Sequence, residues 1–310
     1  MSGGTPAVHS AAERTRIAFT RSCRDTDPLP KVPDAGAVMH RDGVAVQVMH
    51  EGTLVLADRY CGPWVTELIR DLRGHHEPQE ELIFHHLVRH ARPGSLIVEL
   101  GCWWAYYTNW YLGAVPGAEA VCVEADPGNL EVGRANLALN GRQAEFHNAA
   151  LGGEYLPRVS FPTGPGNIPA EIEMLDMPAL AARLRGRPVE MLHMDMQGAE
   201  LPFLRSLRRA DVAVRFVMVS THHKSITGSS ATHDDCCAEL RSQGAVILAE
   251  HGVLESYSGD GLVAASFDPR DAAIELPEMS RHRGANPLWP SWLRRKIARA
   301  ATFCRRLVAS

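Results

Sequence analysis

Ser95-Leu96-Ile97-Val98-Glu99-Leu100-Gly101 is the stretch that decides the fold. Aliphatic residues on both parities fit a strand buried on both faces, and Gly101 ends it where the backbone must turn tightly. Similar short apolar runs recur at 120–124, 144–151 (the weakest), 189–194 and 214–219. The segments between them are long enough for helices, and 129–140 has helical spacing. Strand alternating with helix predicts a parallel sheet covered on both faces. The last two runs, 245–250 and 261–265, are separated only by a loop, which predicts an antiparallel pair at one edge. The expected architecture is α/β: a Rossmann-like, seven-stranded, mostly parallel sheet with an antiparallel edge hairpin.

Upstream, β-like runs in 37–60 are separated by Arg41-Asp42-Gly43 and Glu51-Gly52, and Asp-Gly between apolar runs signals a hairpin. Helical spacing follows at 64–73 and 77–91. Residues 36–79 are therefore expected to form a small N-terminal β/α extension, and 80–270 the main domain. Residues 1–35 are polar and end in the proline-rich 27–33, which reads as a loose arm. Residues 271–310 form a C-terminal extension. Its 291–310 segment holds Arg294, Arg295, Lys296, Arg299, Arg305 and Arg306 and no acid. A helix there would carry an apolar stripe of Leu293, Ile297, Ala301, Phe303 and Leu307. Such a basic amphipathic helix can lie on an anionic membrane or dock on the acidic body or a second subunit. Docking is the favoured reading, because helices usually bury their stripe in the fold.

The 310 residues carry a formal charge of −4 and 45% hydrophobic residues. That composition excludes wholesale disorder and supports a sizeable core. No apolar run reaches the ~18 residues of a membrane span. Residues 1–10 lack the pattern of a secretory leader. Seven cysteines without a Cys-x-x-Cys pair fit a reducing, cytoplasmic setting. Outside the tail there is no basic patch to hold nucleic acid.

In an open parallel sheet, ligands bind beyond the C-terminal ends of the strands. The strand ends here read Glu99-Leu100-Gly101, Glu124-Ala125-Asp126, His147-Asn148-Ala149, Asp195-Met196-Gln197-Gly198-Ala199-Glu200 and Ser220-Thr221-His222-His223. Gly101 lets a ligand approach the backbone, and Glu124 suits a ribose diol, because a carboxylate accepts from two hydroxyls. Together they suggest a nucleoside-containing cofactor. A dinucleotide needs the GxGxxG cradle for its pyrophosphate. The turn here is Gly101-Cys102-Trp103-Trp104-Ala105, with one glycine and two indoles, so a phosphate-free cofactor such as S-adenosylmethionine fits better.

The ordered set Glu99-x-Gly101, Tyr106-Tyr107-Thr108, Glu124-Ala125-Asp126-Pro127, Asn129-Leu130, Asn136 and Asn140 resembles FkbM-type methyltransferases. So do Leu175-Asp176, His193-Met194-Asp195-Met196-Gln197-Gly198-Ala199-Glu200, Ser220-Thr221-His222 and Asp260-Gly261-Leu262. The resemblance covers roughly residues 80–267. It implies a class I methyltransferase fold, S-adenosyl-L-methionine as cofactor, and mostly O-methylation of sugars, lipids or secondary metabolites. Glu99 stands where the family usually has Asp, and Ala105 where it has a second glycine.

Residue reading and resemblance together give a cofactor-binding set of Glu99, Gly101, Trp103, Tyr107, Thr108, Glu124, Asp126, Asn129, Asn148, Asp195 and Gln197. An alcohol attacks a methyl sulfonium only when its proton is removed or shared, or its pKa is lowered by a metal. Asp195 with His222 or His223 is the candidate base and its orienter. A divalent metal held by Asp195, His222 and His233 is the less favoured version. Glu200 should lie in a first helical turn, and 224–232 reads as a mobile loop over the site. The pairs His75-His76 and His85-His86 read as surface or packing residues, and Cys236-Cys237 as buried small hydrophobes. The expected partner is a small hydroxylated acceptor, with no nucleic acid; a homo-oligomer stays open. Methylation of nitrogen or of a macromolecule, and a non-catalytic cofactor-binding module, are the alternatives.

Overall fold

The computed structural model describes residues 10–164, 166–284 and 287–288. The basic 291–310 segment expected to form a helix lies outside them. Helix α1 (Ala11–Thr20) starts at Ser10, whose hydroxyl accepts from the Glu13 amide while the Glu13 carboxylate accepts from the Ser10 amide. This capping box, with Ile17 buried against Leu68 and Leu72, makes a helix of part of the expected loose arm. Strands β1 (Val38–Arg41), β2 (Val44–Val48) and β3 (Leu54–Leu56) form an antiparallel sheet. The β1–β2 turn is Asp42-Gly43 with both φ angles positive (52° and 80°), which matches the twist of the hairpin. Helices α2 (Pro63–Asp71) and α3 (Pro78–Val88) follow, each with proline in its first turn.

The main sheet draws on β4 (Leu96–Leu100), β5 (Glu119–Glu124) and β6 (Glu145–Asn148), with α4 (Tyr106–Ala114) and α5 (Pro127–Leu139) between them. Next come β7 (Ala150–Leu151), β8 (Leu156–Thr163), β9 (Ile168–Leu175) and α6 (Met177–Leu184). The chain continues through β10 (Val189–Met194), α7 (Glu200–Leu207), β11 (Val214–Thr221), the short α8 (Lys224–Thr227) and α9 (Thr232–Ser242). It closes the sheet with β12 (Val246–His251) and β13 (Gly261–Ser266). The order across the sheet is β12-β13-β11-β10-β4-β5-β6. Strand β13 is antiparallel to both neighbours, and the pairs from β11 to β6 are parallel. The expected seven-stranded Rossmann-like sheet with an antiparallel edge pair is present.

Alternation along β4 sorts the two layers. Leu96, Val98 and Leu100 pack with α6, α7 and α9, whose Cys236 and Cys237 are core residues. Ile97 packs with Trp104, Tyr106 and Trp110 of the aromatic turn and α4, under α2 and α3. Glu99 shares that second face. The N-terminal extension is thus part of the same core.

The weak run 144–151 splits in two: β6 joins the main sheet, while β7 pairs with β9 in a separate sheet of order β7-β9-β8. Sequence reading left 152–175 without strands. The β8–β9 hairpin turns at Gly164, Gly166 and Asn167, all with positive φ, and β8 alternates between half-buried and exposed residues rather than forming an apolar run.

The chain enters the sheet at β4, builds outward to β6, then returns to β10 on the other side of β4. This makes the β4/β10 boundary the switch point where a ligand crevice opens. There Gly101 (φ 74°) passes so close to the next strand that a Cβ would sit 1.8 Å from the Asp195 carbonyl oxygen. Gly101→Ala therefore combines a left-handed alanine, costing roughly 1–2 kcal/mol, with a backbone overlap. Urea denaturation is expected to show a loss larger than that strain alone; an unchanged midpoint would contradict it.

Candidate active site

The crevice beyond β4, β5 and β10 opens as a cavity of about 860 Å³. Its volume falls in the range of pockets that take small cofactors. Gly101, Trp103, Glu124, Asp126 and Asn129 line one side, and Asp195 and Gln197 the other. Tyr60, His76 and Glu77 cover it from the N-terminal extension.

Glu124 ends β5. Its Oε2 accepts from the Trp103 amide (3.0 Å) and its Oε1 from the Asp126 amide (2.8 Å). Burial raises its pKa, and those two amides oppose the rise. Each oxygen keeps a lone pair, so the fixed carboxylate can still accept from a diol. Asp126 caps α5 through the Gly128 and Asn129 amides.

Glu99 accepts from the Thr108 amide at 2.8 Å, in the first turn of α4. Burial raises its pKa, while His193 and Thr108 oppose. A buried acid at this helix start takes the place that a pyrophosphate would need, and would repel one. Besides Gly101, the turn before α4 holds two non-glycine residues in the left-handed region: Trp103 has φ 38° and Ala105 φ 54°.

Across the crevice, Asp195 Oδ1 lies 3.1 Å from His222 Nε2, and His222 Nδ1 lies 2.7 Å from Glu200 Oε1. Glu200 opens α7 and also accepts from the Gly198 amide. Gln197 (φ 52°) reaches Asp195 at 3.2 Å and His222 Nε2 at 2.8 Å. Burial works against charge on His222, yet hydrogen bonds to Asp195 and Glu200, with Asp260 beyond, lift its pKa well above 6.5. Burial works the other way on Asp195, but the His222 hydrogen bond holds its pKa below the usual value. His222 is 2% exposed and spends both nitrogens on carboxylates, so it positions Asp195 rather than meeting a substrate.

The other expected site residues sort as follows. Asp195 and His222 are together, but His223 points elsewhere and caps α8 through the Ser225 amide. His233 pairs with Thr221 and Glu250, so the metal set Asp195, His222 and His233 is not assembled. Thr108 is fully buried against Cys122 and offers only its amide. Asn148 donates to the Glu124 and Ala125 carbonyls, bracing the loop from outside the cavity. Tyr107 lines the cavity and donates to Glu77 at 3.3 Å. The segment 224–232 begins with α8, whose Ile226 borders a neighbouring cavity.

Sequence reading missed Tyr60, His76, Glu77 and His193. His76 is buried rather than on the surface, because the loop before α3 folds inward on Glu81, which accepts from the His76 and Glu77 amides. His193 precedes Asp195 by two positions on β10 and so shares its face. Its Nε2 meets Glu80 at 2.7 Å. His193 Nδ1 and the Trp103 indole nitrogen are buried without a hydrogen-bond partner among the described residues, although both side chains line the cavity. Orphaned polar atoms facing a cavity of this size fit a polar ligand such as an adenosyl amino acid.

No family model matches the chain. A protein of Jannaschia sp. (strain CCS1), provisionally named a methyltransferase, is 26% identical over 177 residues, spanning 46% of this chain. The match covers 61% of that protein, so the chain spans about three-fifths of its curated relative's length. Among solved structures, a SAM-dependent methyltransferase from Aquifex aeolicus aligns with TM-score 0.37 and 11% identity, over 62% of this chain and 94% of that one. The O-methyltransferase from Bacillus cereus in complex with SAH gives 0.37 and 15%, over 61% and 79%. M. capricolum TrmK in complex with S-adenosyl-homocysteine gives 0.41 and 11%, over 71% and 84%.

Two predictions follow from this geometry. Glu124→Ala is expected to weaken S-adenosylmethionine binding by roughly 1–3 kcal/mol in calorimetric titration, because ligand hydroxyls lose their acceptor. Affinity unchanged within error would remove Glu124 from the ribose site. His222→Ala leaves the buried Glu200 and the half-buried Asp195 without their shared cation and should cost roughly 3–5 kcal/mol. Since the folded pKa of His222 is raised, its contribution is full below about 6.5 and fades as pH rises through the folded value. Denaturant titrations of both proteins at pH 6 and pH 9.5 should show the stability gap narrowing at the higher pH; a widening gap would contradict this pairing.

Proposed function

We propose that this chain is an S-adenosylmethionine-dependent methyltransferase that methylates a hydroxyl of a small acceptor, a sugar or lipid-linked molecule being the class the FkbM resemblance implies. The observation that carries the reading is what stands at the ends of β4 and β5 beside the switch point: a fixed, buried Glu124 where a ribose diol would bind, and a helix start already occupied by Glu99, which disfavours a phosphate. The name of the Jannaschia protein supports it.

When bound, S-adenosylmethionine supplies an electrophilic methyl group on a sulfonium. Glu124 would hold the ribose, and Trp103 would offer an indole to the cationic sulfur end. Asp195, kept ionised by His222, would orient the acceptor by accepting from a donor beside the reacting hydroxyl. Gln197 and the Glu200–His222 pair fix Asp195 in that role. Buried aromatic residues on the N-terminal side exclude water, which would otherwise compete as acceptor.

Transfer of a labelled methyl group to acceptors in a small-metabolite extract tests the reading. Label is expected in a small hydroxylated product. Asp195→Asn should slow transfer about 10²-fold through lost orientation while leaving cofactor affinity within twofold. Full activity is expected after chelation. Tight binding of NAD with no affinity for S-adenosylmethionine would overturn the proposal.

A further inference from the structure

A second, smaller cavity of about 190 Å³ adjoins the large one. Both are lined by the same six residues: Tyr60, His76, Glu77, Trp103, Asp195 and Gln197. Only the small cavity is bordered by Arg16, Trp64 and Asp260. The shared residues mark a mouth where a molecule in one cavity touches a molecule in the other.

Glu77 is the acid at this mouth that no other group claims firmly. Its backbone amide is fixed by Glu81, but its carboxylate has only loose neighbours: the Tyr107 hydroxyl at 3.3 Å and His76 Nε2 at 3.4 Å. Asp195 is bound to His222 and Gln197, and both His222 nitrogens are engaged. We propose that the small cavity takes the hydroxylated acceptor and that Glu77 is the catalytic residue that removes its proton, a role that rests on the methyltransferase reading. The acceptor O–H proton passes to a Glu77 carboxylate oxygen. The oxygen's electron pair forms the bond to the methyl carbon, the carbon–sulfur bond breaks, and that pair stays on sulfur as a neutral thioether. Glu77 then gives its proton to water.

The surroundings suit this task. The titratable groups facing Glu77 are His76 and Glu80 from its own segment, Tyr60 and Cys61 before α2, Tyr106 and Tyr107 on α4, Asp195 just after β10 and Asp260 just before β13. Burial, reinforced by Glu80, Asp195 and Asp260 and opposed by His76, pushes the Glu77 carboxyl up to about 8. A base with a pKa near the working pH combines an available basic form with real proton affinity. Asp195, held low by His222, is the weaker base.

The test uses the full chain with tritiated-methyl S-adenosylmethionine and a small-metabolite extract. Glu77→Gln should lower transfer by about 10²–10⁴-fold while cofactor affinity, read by calorimetry, stays within twofold. Wild-type kcat/KM should rise about tenfold per pH unit and level off near pH 8, and this limb should vanish in Glu77→Gln. Independently of any acceptor, carbon-13 NMR of carboxyl-labelled glutamate in the wild-type chain with cofactor bound should show one residue titrating near 8. Transfer by Glu77→Gln within threefold of wild type, or no glutamate titrating above pH 6.5, would overturn the role of Glu77. Failure of the wild-type chain to bind S-adenosylmethionine would instead overturn the methyltransferase reading, and this role with it.

Discussion

Among the described glycines, the one where an added Cβ would overlap a neighbour most severely is Gly101, against the Asp195 carbonyl. Everything at the site is arranged around it. With no side chain at 101, β4 and β10 keep one register from Ile97/Met191 to their ends, with Leu100 opposite Met194 and the Asp195 amide donating to the Leu100 carbonyl at 2.9 Å. That contact sets where the two loops diverge, and so where the crevice opens. A larger residue would part the strands at the point where the cofactor wall and the acceptor wall must meet.

Around that contact the protein buries Glu80, Glu81, Glu99, Glu124 and Glu200, with Glu77 half-buried at the mouth. Water cannot solvate them well, so each needs a partner. Histidines partner most of them: His75 and His76 face Glu81, His193 faces Glu80, and His222 joins Asp195 to Glu200. The pairing is uneven, and that unevenness separates roles. Glu81 is held well below the ordinary carboxylate range by His75 and His76 against the effect of burial, and is fixed as a scaffold for the loop before α3. Glu77 has only the looser contacts to the Tyr107 hydroxyl and His76. His50, His75 and Glu81 are close enough to suggest a metal site, but the two imidazoles stack face to face at 4.1 Å, so their in-plane lone pairs do not converge on one ion. The hydrogen-bond reading accounts for the cluster better: the Tyr106 hydroxyl joins His50 and Glu81.

The inner strands of the main sheet were legible because both of their faces are buried, which writes aliphatic runs into the sequence. Gly101 and Glu124 were legible because strand ends in such a sheet have few functional options. The side sheet was not, because β8 and β9 are half-exposed and carry prolines and charges in place of an apolar run. Glu77 and His193 were hidden for a different reason. Glu77 looks like an ordinary acid before a proline that begins a helix, and only the folding of the N-terminal extension over the crevice turns it inward. His193 sits inside an apolar strand, where its meaning depends on Glu80, more than a hundred residues away. The Ser10/Glu13 capping box that starts α1 is a four-residue signal inside a polar segment, and a reading from composition alone passes over it. No helix among the described residues is long and apolar enough to cross a membrane, in keeping with the absence of a long apolar run.

The central claim is that the crevice between β4 and β10 holds an adenosyl cofactor with its sulfur at the mouth shared by the two cavities. A crystal structure of the chain with S-adenosyl-homocysteine tests it most directly. The account predicts ribose hydroxyls on the Glu124 carboxylate and the sulfur beside Trp103 and Asp195, facing Glu77 across the mouth. A ligand bound with its ribose away from Glu124, or with its sulfur pointing away from the smaller cavity, would contradict it.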